Sequence, residues 1–411
     1  MIPRTSGLSA MDDLVRLTGE DCAGAFGRRS EIARIALEAA NEAAAGDAGG
    51  ADAGRAPFPR YATLADYAAA VARRTVCLTL LAGSGSRWVK SLAAAAALPA
   101  SERPSWYDPD FDPGLPRGLY RVRDFLGPAG RLAAGRAVTG AADSRGAADS
   151  RGAGGRIAVA AYSLAAVRGL GRHVIVVRGH EEAIDGEVLA PLGVDAAQRA
   201  FFTQDAPFGK PLGHGDAAWQ CRGLWKDADY VVTNFGGDAN SRATILSALL
   251  VLDALSRAPG GPVCDLLIPA AHIASPAYPI CLDETGLPRS FGHAKLHGTA
   301  GGGPTVPGGA AEAFTNVGLR VYRAPALLAE VESARDKYWV EGKGWAVPGN
   351  DPAGHEFALD NVDASLASRG RARILAVSRP EELAPAKSLE DIPAFERAVE
   401  KVVAEDAGLN F

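Results

Sequence analysis

The sequence predicts an α/β protein, a mainly parallel sheet with helices on both faces, and three observations carry that reading. Short apolar runs rich in β-formers alternate with longer helical runs between Thr75 and Ala270. The 411 residues are 47% hydrophobic and 22% charged, enough apolar side chains for a full core and too few charges for a disordered chain. The most apolar run, Thr244 to Leu255 (TILSALLVLDAL), is interrupted by Asp253 and falls far short of the roughly 20 residues that cross a bilayer, so it reads as a core helix.

The elements follow in chain order. Ile32, Ala33, Ile35, Ala36 and Ala39 recur at helical spacing behind Ser30 and Glu31, a reasonable helix start. A stretch rich in Gly, Ala and Pro, Ala43 to Pro59, then sets this segment apart, so residues 1–60 read as a helical N-terminal extension with its linker. Residues 61–380 form the main domain. Its first strand is expected at Thr75 to Ala82 (TVCLTLLA), followed by a helix at Ile157 to Arg168, a strand at His173 to Val177 and a helix at Asp216 to Trp225. A strand at Tyr230 to Asn234, a helix at Arg242 to Ser256 and a strand at Cys264 to Ala270 complete the alternation. Between Gly140 and Gly155 the sequence AADSRG occurs twice in tandem, a polar duplication that buries no core and reads as a flexible surface insertion at about 140–155. Residues 381–411 read as a C-terminal helical tail, with Ser388 to Ala407 a solvated, charge-laced helix.

Composition also excludes several classes. The net charge of −5 and the scatter of Lys and Arg leave no nucleic-acid footprint. Five cysteines, an odd number without CxxC spacing, make neither a disulfide framework nor a zinc knuckle and read as reduced, mostly buried thiols. The seven histidines form no HExxH, and no GxSxG elbow is present. The first residues, MIPRTSGLSAMDDL, lack a basic region followed by an apolar one, so the expected location is cytoplasmic, with no membrane partner.

The chemistry-bearing motifs sit after the expected strands, where an open α/β sheet binds its ligands. Leu80-Leu81-Ala82-Gly83-Ser84-Gly85-Ser86-Arg87 runs a buried strand into small residues and one guanidinium. Such a loop lets backbone N–H groups approach a triphosphate; it is neither GxGxxG nor a P-loop, and the alternative is an ordinary strand-to-helix turn. Phe202-Thr203-Gln204, followed by Lys210-Pro211-Leu212-Gly213-His214-Gly215-Asp216, offers an amide and glycines on which a flat base can lie. Its alternative is a helix start capped by Asp216. The strand at Tyr230 leads through Gly236-Gly237 to Asp238, a carboxylate placed for Mg²⁺ at phosphates or, alternatively, a turn residue. Further on, Phe314 to Tyr322 reads as one strand carrying Asn316 and Gly318, and Glu356 and Asp360 have the spacing of one helix face.

Together these motifs resemble the sugar-1-phosphate nucleotidyltransferases, over about Arg74 to Arg379. LLAGSGSR is similar to their LAGGxG[T/S]R signature, with Ser84 in place of the second Gly. Leu115-Pro116-Arg117-Gly118-Leu119-Tyr120 looks like the PKGxY element of the UDP-N-acetylhexosamine pyrophosphorylases, with Arg117 at the Lys position. Gln204 and the Pro211 to Asp216 turn resemble the F-x-Q and P-x-GHGD arrangement that embraces uracil in UDP-sugar pyrophosphorylases. The resemblance implies a three-layer α/β/α, nucleotide-diphospho-sugar transferase-like fold with a mixed, mainly parallel sheet. It implies that a nucleoside triphosphate, UTP, and a sugar 1-phosphate are joined to a nucleotide-sugar and pyrophosphate with Mg²⁺. Nucleotide would then lie on Leu81, Ala82, Gly83, Ser84, Gly85, Ser86, Gln204, Pro211, Gly213, His214 and Gly215. Arg87 and Arg117 would neutralise the reacting phosphates, Asn316, Gly318 and Lys295 would meet the sugar phosphate, and Asp238 and Asp360 would hold the metal. Two other classes stay open: a non-catalytic nucleotide-binding protein on the same fold, and a glycosyltransferase using a nucleotide-sugar, for which Asp238-Ala239-Asn240 is a partial DxD.

Overall fold

The computed structural model describes residues 9–47, 58–82, 85–127, 155–274, 276, 279–291, 312–348, 350 and 355–407. The tandem AADSRG insertion lies outside these residues, apart from Gly155.

Strict alternation of side chains builds the sheet. On β1 (Thr75–Leu80), Val76, Leu78 and Leu80 face one side and Cys77 the other, as the two-residue period of a strand requires. The same alternation divides Val174 and Val176 from Ile175 and Val177 on β4 (Arg172–Val177), and Val231 from Val232 on β6 (Tyr230–Phe235). Two short pairs stand apart, β2 (Arg121–Arg123) with β3 (Arg156–Ala158), and β12 (Trp339–Val340) with β13 (Gly344–Trp345). The remaining strands are β5 (Arg199–Thr203), β7 (Leu266–Ala274), β8 (Pro279–Leu282), β9 (Pro288–Phe291), β10 (Glu312–Asn316), β11 (Arg320–Arg323) and β14 (Ala372–Leu375).

The large sheet runs β5-β4-β1-β6-β11-β7-β10-β8-β9, with β14 joined to β7. Strands β5, β4, β1 and β6 are parallel, β11 inserts antiparallel between β6 and β7, and β14 is again parallel to β7. The fold is therefore α/β with a mixed sheet, mostly parallel at its centre and flanked by helices.

The helices are α1 (Ala10–Leu17), α2 (Arg29–Asp47), α3 (Leu64–Ala72), α4 (Ser86–Ala96), α5 (Ala160–Val167), α6 (Glu181–Ile184) and α7 (His214–Gln220). After them come α8 (Arg242–Ser256), α9 (Ala324–Tyr338), α10 (Leu359–Ser368) and α11 (Ile392–Asp406). One core layer joins the sheet to α7, α9 and α10, and the other joins it to α5 and α8. Helix α8, capped by the Ser241 hydroxyl on the Thr244 N–H, is buried continuously from Ala243 to Leu255. Such all-round burial is what an all-round apolar helix needs. The sheet covers one side, and α1, α2 and α3 cover the rest through Leu14, Ile32, Ala36, Tyr67 and Val71. Arg29 at the start of α2 donates to the Val377 carbonyl and to Glu382 Oε1, both at 2.9 Å, and Glu382 also accepts from the Ser241 N–H. The N-terminal helices are thus packed on the same core as the sheet. No helix among the described residues is long and apolar enough to cross a membrane.

Several local expectations are corrected. Ile157 is not helical; it pairs with Val122 in β3, and the helix starts at Ala160. The helix expected at Asp216 begins two residues earlier, ends at Gln220 and yields to a tight turn, Arg222–Leu224, so Asp216 lies in its first turn and does not cap it. Phe314 to Tyr322 is two strands broken at Gly318, whose φ of 82° an extended strand does not contain. Glu356 precedes α10 and shares no helix face with Asp360. The C-terminal helix is amphipathic, burying Ile392, Phe395, Val399 and Val402, because its apolar residues recur every three to four positions.

Candidate functional site

Because β5, β1 and β6 are parallel, the loops leaving their carboxyl ends emerge on one edge of the sheet. These loops surround a cavity of about 220 Å³. Leu81, Ala82 and Gly85 from the loop after β1 line it, as do Arg117, Gln204, Pro211, Gly213 and His214. Gly83, Ser84 and Lys295 lie outside the described residues. Ser86 opens α4 and is exposed, as is Arg87, whose charge opposes that of Arg117. Gly215 is buried and not among the lining residues, donating its N–H to the Phe357 carbonyl at 2.9 Å.

Local sequence explains the positions. Tyr120, packed edge-on against Trp88 and Phe111, anchors the turn that carries Arg117. The guanidinium can then lie over Gly237, where a Cβ would stand 2.9 Å from Arg117 Nη2. Burial lowers the Arg117 pKa, Arg87 adds to the lowering, and Asp238 and Asp391 oppose it. The turn between β10 and β11 closes on the same place. Asn316 Oδ1 accepts the Gly318 N–H at 2.8 Å, and any side chain at Gly318 would overlap Asp238 Oδ2.

Asp238 is 8% exposed, and burial pushes its carboxyl up to about 6 against the pull of Lys387, Arg117 and Arg320. Arg320 is already committed, its Nε to Asp363 Oδ2 at 2.6 Å and its Nη2 to Asp360 Oδ1 at 3.0 Å. Burial likewise pushes Asp363 up to about 6, against the favourable charge of Arg320. The second oxygen of Asp360 faces His214 Nε2 at 3.4 Å, while His214 Nδ1 accepts the Leu359 N–H at 2.9 Å. Asp360 therefore links α7 to β11, and among the described residues Arg117 and Lys387 are the other cations acting on Asp238. Cations around a dehydrated carboxylate, beside a cavity lined in part by glycines, suit polyphosphate.

Among the described residues no three His, Cys, Asp or Glu side chains form a metal-holding group. Mg²⁺ at a phosphate site needs only one or two protein carboxylates, since phosphate and water complete its oxygen shell. Asp238 fits that need: it offers hard oxygen atoms, and a dication would relieve the burial of its charge. Asp360, shared between Arg320 and His214, fits less directly.

Two residues at the site escaped sequence reasoning, and a third was read in another place. Lys387 lies in a loop with no motif, 149 positions from the carboxylate it faces by their numbers. Arg320 gave no signal beyond its place in a strand. Glu356, singled out only for its spacing to Asp360, lines the cavity itself. No family model matches this chain, and no curated protein matches it either.

Proposed function

We propose that the chain is a Mg²⁺-dependent nucleotidyltransferase that joins a nucleoside triphosphate, UTP, to a sugar 1-phosphate and releases pyrophosphate. The observation that carries this reading is the convergence of Leu81, Ala82 and Gly85, Arg117, Gln204 and the Gly213-His214 turn on one cavity beside Asp238. Gln204 and the Gly213 turn hold the base. Arg117, with Arg87 and Lys387 near it, neutralises the triphosphate. The Asn316 to Gly318 turn against Asp238 receives the sugar phosphate.

The sugar phosphate oxygen attacks the α-phosphorus, a new P–O bond forms, the bond to the bridging α,β-oxygen breaks, and pyrophosphate leaves with its electron pair. No covalent intermediate on the protein is required. Positioning and charge neutralisation supply the rate. Asp238 would hold Mg²⁺, which when bound would supply further charge neutralisation at the phosphates. The substrates are small anions with no nucleic acid or membrane involved, which fits a cytoplasmic location.

The test is pyrophosphate release by the purified protein with Mg²⁺, across a panel of nucleoside triphosphates and sugar 1-phosphates. Release that needs both substrates and collapses in Asp238→Asn is the expected result. Nucleotide-dependent thermal stabilisation without any release would replace this reading with that of a nucleotide-binding protein.

A further inference from the structure

A ring of acceptors fixes the amide of Gln204. Its Nε2 donates to the Gly213 carbonyl at 3.1 Å and to Asp216 Oδ2 at 3.2 Å. Both partners are acceptors, so the amide cannot turn over without setting oxygen against oxygen. Asp216 is itself held from two other sides. Trp345 Nε1 donates to its Oδ1 at 2.9 Å, and Gln220 Nε2 donates to its Oδ2 at 2.7 Å while Gln220 Oε1 accepts the Asp205 N–H at 2.8 Å. Trp345 is 1% exposed and stacks on Phe357 with ring centroids 4.5 Å apart, so the donor to Oδ1 is rigid. Both N–H donors of Gln204 are consumed inside the protein. Among the described residues none donates to its Oε1, and Gln204 lines the cavity.

We propose that Asp216 is a positioning residue that sets base selectivity, by holding Gln204 so that it presents only an acceptor to the bound base. The inference rests on the nucleotidyl-transfer reading of the site and deepens it by assigning the residue that fixes which group Gln204 turns toward the base. A base with a ring N–H can donate to Gln204 Oε1: uracil and thymine at N3, guanine at N1. Cytosine at N3 and adenine at N1 present a lone pair there and meet another lone pair. A buried mismatch of this kind discriminates strongly, because the site's own polar atom is left unpaired.

The isosteric change Asp216→Asn removes the lock. Trp345 Nε1–H still requires an oxygen opposite it, so the new amide turns its NH₂ toward Gln204 and Gln220; Gln204 then meets a donor on one side and the Gly213 carbonyl on the other, and its amide is free to populate the rotated orientation as well. The rotated side chain then offers an N–H to the base.

The experiment measures dissociation constants of UTP, dTTP, GTP, CTP and ATP with Mg²⁺ for the native protein, Asp216→Asn and Gln204→Leu, alongside pyrophosphate release. Thermal melts check that each variant is folded. The native protein is expected to bind UTP, dTTP and GTP more tightly than CTP and ATP. In Asp216→Asn the UTP-to-CTP preference should fall by about tenfold or more, and in Gln204→Leu it should approach one. Gln204→Leu keeps Asp216 with its Trp345 and Gln220 donors, so it tests the base contact even if Asp216→Asn does not fold. The proposal is overturned if the native protein prefers CTP or ATP, or if Asp216→Asn weakens all five nucleotides by one common factor, as a merely structural residue would. Base preference without pyrophosphate release would sink the nucleotidyl-transfer reading and leave the assignment of Asp216 standing. Failure to bind any of the five would sink both.

Discussion

Asp238 and Asp253 are both buried aspartates among cations, yet they are built for opposite ends. Asp253 is 0% exposed and receives four donors, the Tyr67 and Tyr230 hydroxyls at 2.8 Å each, Arg257 Nε at 2.8 Å and Arg74 Nη2 at 2.7 Å. They come from α3, β6, the end of α8 and the start of β1, so the carboxylate bonds the N-terminal layer to the sheet. Asp238 feels Lys387, Arg117 and Arg320 only as neighbouring charges, and burial keeps its carboxyl at about 6. The saturated carboxylate commits its charge to the fold, whereas the desolvated and unsaturated one is, on the proposed function, held for a ligand.

The largest expected effect is on the saturated side. Asp253→Ala strands two guanidiniums and two hydroxyls, and urea denaturation should show a loss of about 3–5 kcal/mol. If the chain carries out the proposed nucleotidyl transfer, Asp238→Asn should do the converse, lowering kcat by about 10²–10³ while unfolding free energy stays within about 1 kcal/mol of the native protein, since it removes a buried charge with no direct partner among the described residues. A loss of stability as large as that of Asp253→Ala would abolish the distinction between the two.

Acid sensitivity must be credited to the right group before either aspartate is blamed for it. His173 on β4 is 1% exposed, both its ring nitrogens lack a partner among the described residues, and burial, aided by Arg242, lowers its pKa to about 4. Below pH 6.5 the unfolded chain gains a proton there that the native state refuses until about pH 4. Its contribution is therefore complete above pH 6.5 and lost as pH falls toward 4, roughly 3 kcal/mol in all. His173→Leu should flatten the stability profile over that window, as chemical denaturation at stepped pH would show. The smallest effect belongs to the exposed pair Arg34 and Glu38, 2.6 Å apart with the arginine 55% exposed. Arg34→Ala should change stability by no more than about 0.5 kcal/mol in the same assay, which sets the floor against which the two aspartates are compared.

What the sequence made legible is what local periodicity encodes. The short apolar runs of β1, β4 and β6 and the longer apolar run of α8 follow from neighbouring residues, and the structure contains those elements. Small residues after a strand likewise locate a loop edge, which is why Leu81, Gln204 and Gly213 meet at one cavity. Arg320 with Asp360 and Asp363 was not legible, because β11 and α10 become neighbours only when the sheet is assembled. The direction of the Gln204 amide was hidden for the same reason: it depends on Trp345, 129 positions beyond the Asp216 that it clamps. Ile157 misled because an apolar residue before a helix reads equally as its first turn or as the strand that precedes it.

The bond from Arg29 to Glu382 spans 353 residues of chain. During synthesis α2 leaves the ribosome long before the segment that anchors it, and before the α8 surface that covers Ile32 and Ala36. Contacts of such long range make for slow folding, and the apolar stripe of α2 must wait exposed until they form. The nascent chain thus carries that stripe uncovered at least until α8 has emerged, and its yield in a cell depends on what shields the stripe in the meantime.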